Sequence, residues 1–254
     1  MDKEQYEILF NLEERHWWYL GMREIAASLL AKYLDGRKPL RILDAGCGTG
    51  GTTKYLNRFG RSFGIDMAPE ALAGSQQRHL TTLARASIEQ LPFASGSFDL
   101  VVSFDVLYHQ AVGNDAAALA EFYRVLRPDG LLMVRVPAYD WLRGVHDVVV
   151  HTRHRYSRGE LGKKLAATGF LPRKLTYINS LLFPVAALKR LTEGTRGTLR
   201  MDLELPSPLI NRLLLAALQL ESGVLRAVSF PWGLSVLAVA TKAVSNQQSA
   251  VSRR

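Results

Sequence analysis

The chain has 254 residues, 48% hydrophobic and 22% charged, which is too apolar for a disordered protein and too charged for a polytopic membrane protein. Its single cysteine, Cys47, excludes a disulfide framework and a cysteine-rich zinc site and points to a reducing compartment. The net charge of +9 is concentrated in one stretch: residues 141–200 carry twelve Lys/Arg against Asp147, Glu160 and Glu193. Such a surface suits an anionic small molecule or an anionic membrane face, and no nucleic-acid reading motif accompanies it.

In chain order, periodicity predicts helices at 2–15 and 20–34. The first segment, MDKEQYEILFNLEE, is acidic and amphipathic where a secretory leader would be basic and then apolar. No apolar run reaches the roughly 20 residues needed to span a bilayer. A cytoplasmic location is therefore expected, with any membrane contact peripheral and on the inner face. Strands are predicted at 40–45, 62–66, 83–87, 100–104 and 131–136, alternating with helices at 49–58, 68–79 and 115–126. This is the rhythm of a parallel α/β unit with helices on both faces. Beyond Pro137 follow a basic stretch rich in His and Tyr, a helix at 157–169 and a strand at 173–178. Two Leu-rich helices at 180–191 and 208–228 and a last strand at 234–241 complete the pattern. The division is an N-terminal helical lid (1–36), one α/β domain (37–242) with an apolar helical insertion (179–230), and a disordered tail (243–254).

The strongest motif is Ile42-Leu43-Asp44-Ala45-Gly46-Cys47-Gly48-Thr49-Gly50-Gly51, a strand running into closely spaced glycines and then a helix. Glycine lacks a Cβ, so backbone N–H groups can approach a ligand closely. Gly46, Gly48 and Gly51 fit the dinucleotide pattern, and Asp66 follows where a second-strand carboxylate would hold ribose hydroxyls. A nucleotide-bearing cofactor in a Rossmann-like, doubly wound, mostly parallel sheet follows. The motif alone leaves NAD and S-adenosylmethionine both open.

ILDAGCGTG, FGIDMAPEAL, SIEQLPFASGSFDLVVSFDVLYH and FYRVLRPDGLLMVRVP, spread over Arg41 to Pro137, together resemble the class I S-adenosylmethionine-dependent methyltransferases, in particular the UbiE/Coq5-like group. The sequence departs from that group's pattern at Ser87-Ile88, where many members have an acidic and then a small residue, and at the extra Gly51. The resemblance implies S-adenosyl-L-methionine as cofactor. It implies that Gly46, Gly48 and Gly50 pass close to the methionine part with Asp44 beneath, and that Asp66 accepts from both ribose hydroxyls. Met67, Ser87 and Ile88 would border the adenine, and Phe104 would sit beside the reacting centre. Cys47 has no sequence neighbour that would activate it and is read as structural.

A sulfonium methyl is strongly electrophilic, so the protein must chiefly align the acceptor and exclude water, and a hydroxyl or amine acceptor must also lose a proton. His109, just past the fourth strand, is one candidate base. The cluster His146 to Tyr156 supplies more: His146 and Tyr156 as acid–base candidates, with His151, Arg153 and Arg155, joined by Tyr108, as a clamp for an anionic substrate. A metal site through His146, Asp147 and His151 is the third use of that loop, but it lacks sustained ligand spacing and no metal is expected. In His16-Trp17-Trp18-Tyr19, Trp18 with Arg23 suits a lid whose arginine reaches the cofactor's carboxylate, and ordinary packing is the alternative.

The insertion carries Leu181, Phe183, Val185 and Leu188, then Leu209, Leu213, Leu218 and Leu220, bordered by Lys189, Arg190, Arg212 and Arg226. It suits a cover for a hydrophobic acceptor, a membrane-surface contact, a homodimer interface or an added core layer. The expected activity is methylation of a small or lipid-linked, anionic acceptor, at oxygen first. Carbon or nitrogen methylation, or a non-catalytic cofactor-binding partner protein of the same fold, are the alternatives.

Overall fold

The computed structural model describes residues 3–34, 36, 39–193 and 205–243. Helices α1 (Lys3–Leu12) and α2 (Trp17–Tyr33) precede β1 (Leu40–Ala45), α3 (Gly51–Leu56), β2 (Gly60–Asp66), α4 (Pro69–Gln77), β3 (Leu83–Arg85) and β4 (Phe98–Phe104). Then come α5 (Asp115–Val125), β5 (Leu126–Pro137), a 3-10 turn at Asp140–Leu142, α6 (Val145–Val149), α7 (Arg158–Ala167), β6 (Phe170–Ile178), α8 (Phe183–Glu193), α9 (Pro208–Leu225) and β7 (Ser235–Lys242). Of the expected tail (243–254), Ala243 is described and buried, and residues 244–254 lie outside the described set.

The seven strands form one sheet in the order β3-β2-β1-β4-β5-β7-β6, as expected of a doubly wound fold. β1 is parallel to both β2 (Ile42 opposite Ser62) and β4 (Leu43 opposite Val101), while β7 runs antiparallel to β5 and β6. Chain connections leave β1 and β4 in opposite directions, which opens a crevice at their carboxyl ends. Strands buried on both faces explain the unbroken apolar runs: Val101, Leu132, Val134 and Val136 pack towards α5 and α7 with Phe122 and Leu161. Ile42, Leu100, Val102 and Met133 pack the other way with Ile25, Leu29 and Leu30 of α2 and Leu218 and Leu225 of α9.

Helix α2 is thus a core layer on one side, and its first turns, with the turn after α1, lie against the glycine loop. The insertion is a core layer on one side too. Gly21 of α2 lets Leu218 of α9 approach so closely that any Cβ there would collide with it. Ser222 donates to the Glu24 carbonyl at 3.2 Å and Ser28 donates to the Ser222 carbonyl at 3.1 Å. No described helix is long and apolar enough to cross a membrane.

Candidate active site

The loop after β1 needs its glycines. Gly46 holds φ +90° and a Cβ there would run into Val106, whereas Gly48, at φ +54°, faces open space with nothing within 4 Å of where a Cβ would stand. Bare backbone is therefore presented to the crevice at Gly48. Asp66 ends β2 beside it: one carboxylate oxygen accepts the Gly48 N–H at 2.9 Å and the other the Ala68 N–H at 2.9 Å. Each oxygen keeps lone-pair capacity for a second donor. Beneath the loop, Asp44 is fully buried and accepts from the Thr53 hydroxyl at 2.6 Å, and its burial pushes its carboxyl up to about 7. Burial, with Asp44 and Asp66 nearby, raises the Cys47 thiol, which keeps it protonated and inert.

A carboxylate from the N-terminal segment caps the loop's helix. One Glu13 oxygen accepts from the Thr49 hydroxyl at 2.6 Å, the Gly51 N–H at 3.2 Å and Arg78 at 3.0 Å. Arg78, nearly sealed from solvent, also donates to the Thr49 and Phe10 carbonyls and to Glu14. Arg23 donates to the Gly51 and Glu13 carbonyls. Tyr6 of α1 lies close enough to Asp66 and Glu70 that burial, then those carboxylates, raise its hydroxyl to about 12. Between α1 and α4, Tyr6, Phe10, Glu70 and Gln77 border a cleft of about 430 Å³.

At the ends of β4 and β5, Tyr19, Met22 and Arg23 of α2 close against Gly51, Thr52, Phe104 and Arg135 around a space of about 20 Å³. That is room for one water. Arg135 rises from the apolar run Leu131–Val136, donates twice to Asp105 at 3.0 and 2.6 Å, and lies 5.0 Å over the Phe104 ring. Among the described residues its third nitrogen, Nη1, has no hydrogen-bond partner. Asp105 stands at φ +58°, a conformation that a non-glycine residue holds only when its surroundings enforce it. Burial first, then Glu13 and Asp105, raises the Tyr19 hydroxyl, which stays a donor.

The His/Arg stretch folds back as a strap over the turn after β4. Arg153 N donates to the Tyr108 carbonyl and Gln110 N to the His151 carbonyl. Arg155 is engaged with Asp147 through two nitrogens at 2.7 and 3.1 Å and with the Ala138 carbonyl at 3.0 Å. Tyr156 is fully buried and donates to Asp115 at 2.7 Å. Arg153 is exposed with Asp115 at 4.0 Å, and His151 meets His109 edge-on at 5.8 Å. His109 accepts the Ala111 N–H on Nδ1 at 3.0 Å, so in its neutral ring the proton sits on Nε2 and the basic nitrogen is turned to the backbone. The side chain of His146, on α6, lies outside the described set. Among the described residues no group of His, Cys, Asp and Glu is arranged to hold a metal.

A family model described as a methyltransferase domain matches residues 43–134. The chain is 32% identical over 190 residues to a malonyl-[acyl-carrier protein] O-methyltransferase from Serratia marcescens, covering 70% of this chain and 72% of that one. The chain belongs to the class I S-adenosylmethionine-dependent methyltransferases. The methyltransferase of that name from Laribacter hongkongensis is 35% identical over 153 residues, 52% of this chain, which spans about half (51%) of that relative's length. A Haloferax volcanii methyltransferase solved with the activator Trm112 shares the fold, with TM-score 0.59, 20% identity and 92% of each chain covered.

The residues present fit the family's cofactor. A cradle open at Gly48 and a carboxylate with spare acceptor capacity suit an adenosyl group, while Ile88 is buried in the core cluster. Ser87 uses its hydroxyl to accept the Glu89 N–H, and Met67 is half exposed at the rim. Trp18 is half-buried against the core beside Trp17 and is not among the residues lining the pocket, whereas Arg23 and Phe104 are. Sequence reasoning missed Glu13, Tyr19, Met22, Asp105 and Arg135. Only Arg135 carried a signal, a charge inside a strand otherwise apolar enough to be buried.

Proposed function

We propose that this methyltransferase moves the methyl group of S-adenosylmethionine onto a carboxylate oxygen of a small, acyl-carrier-linked or lipid-linked acceptor. The observation that carries the reading is the pocket beside the glycine loop, lined by Arg23, Arg135 and Tyr19 together with Glu13 and with no histidine among the lining residues. The bound cofactor supplies an electrophilic methyl on sulfur. Gly46, Gly48, Gly50 and Asp66 would hold it, with Met67, Ser87 and Ile88 bordering the adenine and Asp44 bracing the loop from below.

A carboxylate is already ionised at neutral pH, so no base has to remove a proton. The Nη1 edge of Arg135 and the Tyr19 hydroxyl would bind one acceptor oxygen and leave the other pointing at the donor. Phe104 and Met22 would exclude water around it. The malonyl-[acyl-carrier protein] O-methyltransferases named above support this reading, because their acceptor carries a free carboxylate. His109, His151 and Arg153 then serve the outer rim, and Tyr108, Arg155 and Tyr156 serve the strap that shapes it. With room for a single water, the pocket admits an acceptor only when the Glu13 turn moves aside.

The test uses S-adenosylmethionine labelled in its methyl group and malonyl-acyl carrier protein as acceptor. The expected product is a methyl ester that releases labelled methanol in mild base. Base-stable label, or no transfer to this or any other carboxylate, overturns the proposal.

A further inference from the structure

Helix α9 is apolar on two opposite sides and only one is covered. Leu218 and Leu225 are buried against α2 and the sheet, while Leu209, Leu213, Leu220 and Val224 are 67, 62, 70 and 48% exposed. Their spacings of four, seven and four residues place these four on one stripe about 22 Å long. A soluble helix normally sets polar residues there.

Hydrogen bonds and ring contacts extend the stripe into a face. Glu221, buried on α9, accepts the N–H groups of Asn179, Ser180 and Leu181 at 2.5, 2.8 and 3.3 Å, which ties α9 to the start of α8, where Leu181 and Val185 are exposed. The Ser180 hydroxyl donates to the Trp232 carbonyl at 2.6 Å, and Phe183 meets Trp141 edge-on at 6.2 Å. Both tryptophans are about half exposed. Ile178 and Pro137 both pair with Ser235, so this face starts at the carboxyl edge of the sheet, the edge on which the pocket opens.

We propose that this face docks onto the surface of an anionic lipid bilayer. Charge selects that occupant over a second copy of the chain. Among the described side chains of residues 179–230, Glu221 is the only acid and it is buried, while Arg212 and Arg226 are exposed. Exposed Arg158 adds a further positive charge beside the face, 5.8 Å from the ring of Tyr177, which stacks on Tyr139 next to Phe183. Two copies brought face to face would repel, whereas anionic headgroups are attracted. Half-exposed tryptophans at the rim of an apolar stripe suit the layer between headgroups and acyl chains. The proposal holds whichever acceptor is methylated.

The experiment is co-sedimentation of the full chain with phosphatidylcholine vesicles containing about 30% phosphatidylglycerol, a fraction giving a strongly negative surface. The wild type is expected to pellet, with binding falling as sodium chloride is raised. The double variant Val185→Glu/Leu213→Glu, at two exposed helical positions, is expected to bind about ten-fold less while keeping the circular dichroism and the S-adenosylhomocysteine affinity of the wild type. Wild type remaining in the supernatant, or equal pelleting of variant and wild type, overturns the proposal. So does a dimer in solution that the substitutions dissociate without any vesicle binding. Should the double variant misfold, tryptophan fluorescence replaces it: a blue shift on adding vesicles that disappears in Trp141→Phe/Trp232→Phe supports docking, and a shift that persists contradicts it. Retained S-adenosylhomocysteine binding without lipid binding removes the docking face alone and leaves the methyl-transfer reading intact.

Discussion

Two arginine-bearing regions flank the ends of β4 and β5, and they use their charge differently. In the strap, Arg155 has its donors on Asp147 and the Ala138 carbonyl, within a loop whose backbone is also tied to Tyr108 and Gln110. In the pocket, Arg135 balances its charge with Asp105 yet keeps one nitrogen on the lining, beside Arg23 and Tyr19. The dense run of ionisable residues thus spends much of its charge on internal pairs, whereas the single charge in the apolar strand keeps one nitrogen without a partner among the described residues. Neutralised but incompletely engaged groups are the ones left to recognise something.

The comparison breaks most visibly at the latch that closes the pocket. Removing Glu13 takes away one of the two carboxylates on Arg78 and the acceptor of Thr49 and Gly51, so Glu13→Ala is expected to cost about 2 to 3 kcal/mol in urea unfolding. A loss below about 1 kcal/mol would mean that the latch is loose in solution. Next, Arg135→Ala and Arg155→Ala should diverge. The first should lower kcat/KM about 10- to 100-fold, the loss of a hydrogen bond to a charged group. The second should destabilise the fold by about 3 kcal/mol and leave turnover per folded molecule within about two-fold. The reverse outcome would move the acceptor site into the strap.

Asp44 sharpens the same point through pH. Its carboxyl is raised in the folded chain from 3.8 to about 7, so across that interval the native state holds a proton that the unfolded state has released. Stability must then fall as pH rises from about 4 to about 7, by at most about 1.4 kcal/mol per unit. Asp44→Asn, which can still accept from Thr53, is expected to flatten that decline in denaturant titrations and to be the more stable protein at pH 8. A smaller effect is expected at Arg153, exposed on the strap: Arg153→Ala should change stability by no more than about 0.5 kcal/mol.

The parts legible in the sequence were those fixed by neighbours along the chain. β1 was expected at 40–45 and is found there, and the glycines after it and Asp66 at the end of β2 follow from local backbone demands. Arg23 and Phe104 were read from the sequence and line the pocket, and Arg135 left a trace as a charge in an apolar strand, but the rest of the lining was hidden for the opposite reason. Glu13, Tyr19 and Arg135 are far apart in sequence and acquire meaning only when α2 lies across the ends of β4 and β5. The insertion misled in a third way: Leu218 and Leu213 are alike in sequence, yet one is core and the other surface, because only packing against Gly21 decides which side of α9 is covered.

The most direct measurement is calorimetric titration of S-adenosylhomocysteine into wild type and Asp66→Ala at matched circular dichroism. The wild type is expected to bind one equivalent, and the variant to bind about 100-fold more weakly, as expected when two hydroxyls lose a charged acceptor. Equal affinities would contradict the assignment of the glycine loop and Asp66 as the adenosyl site.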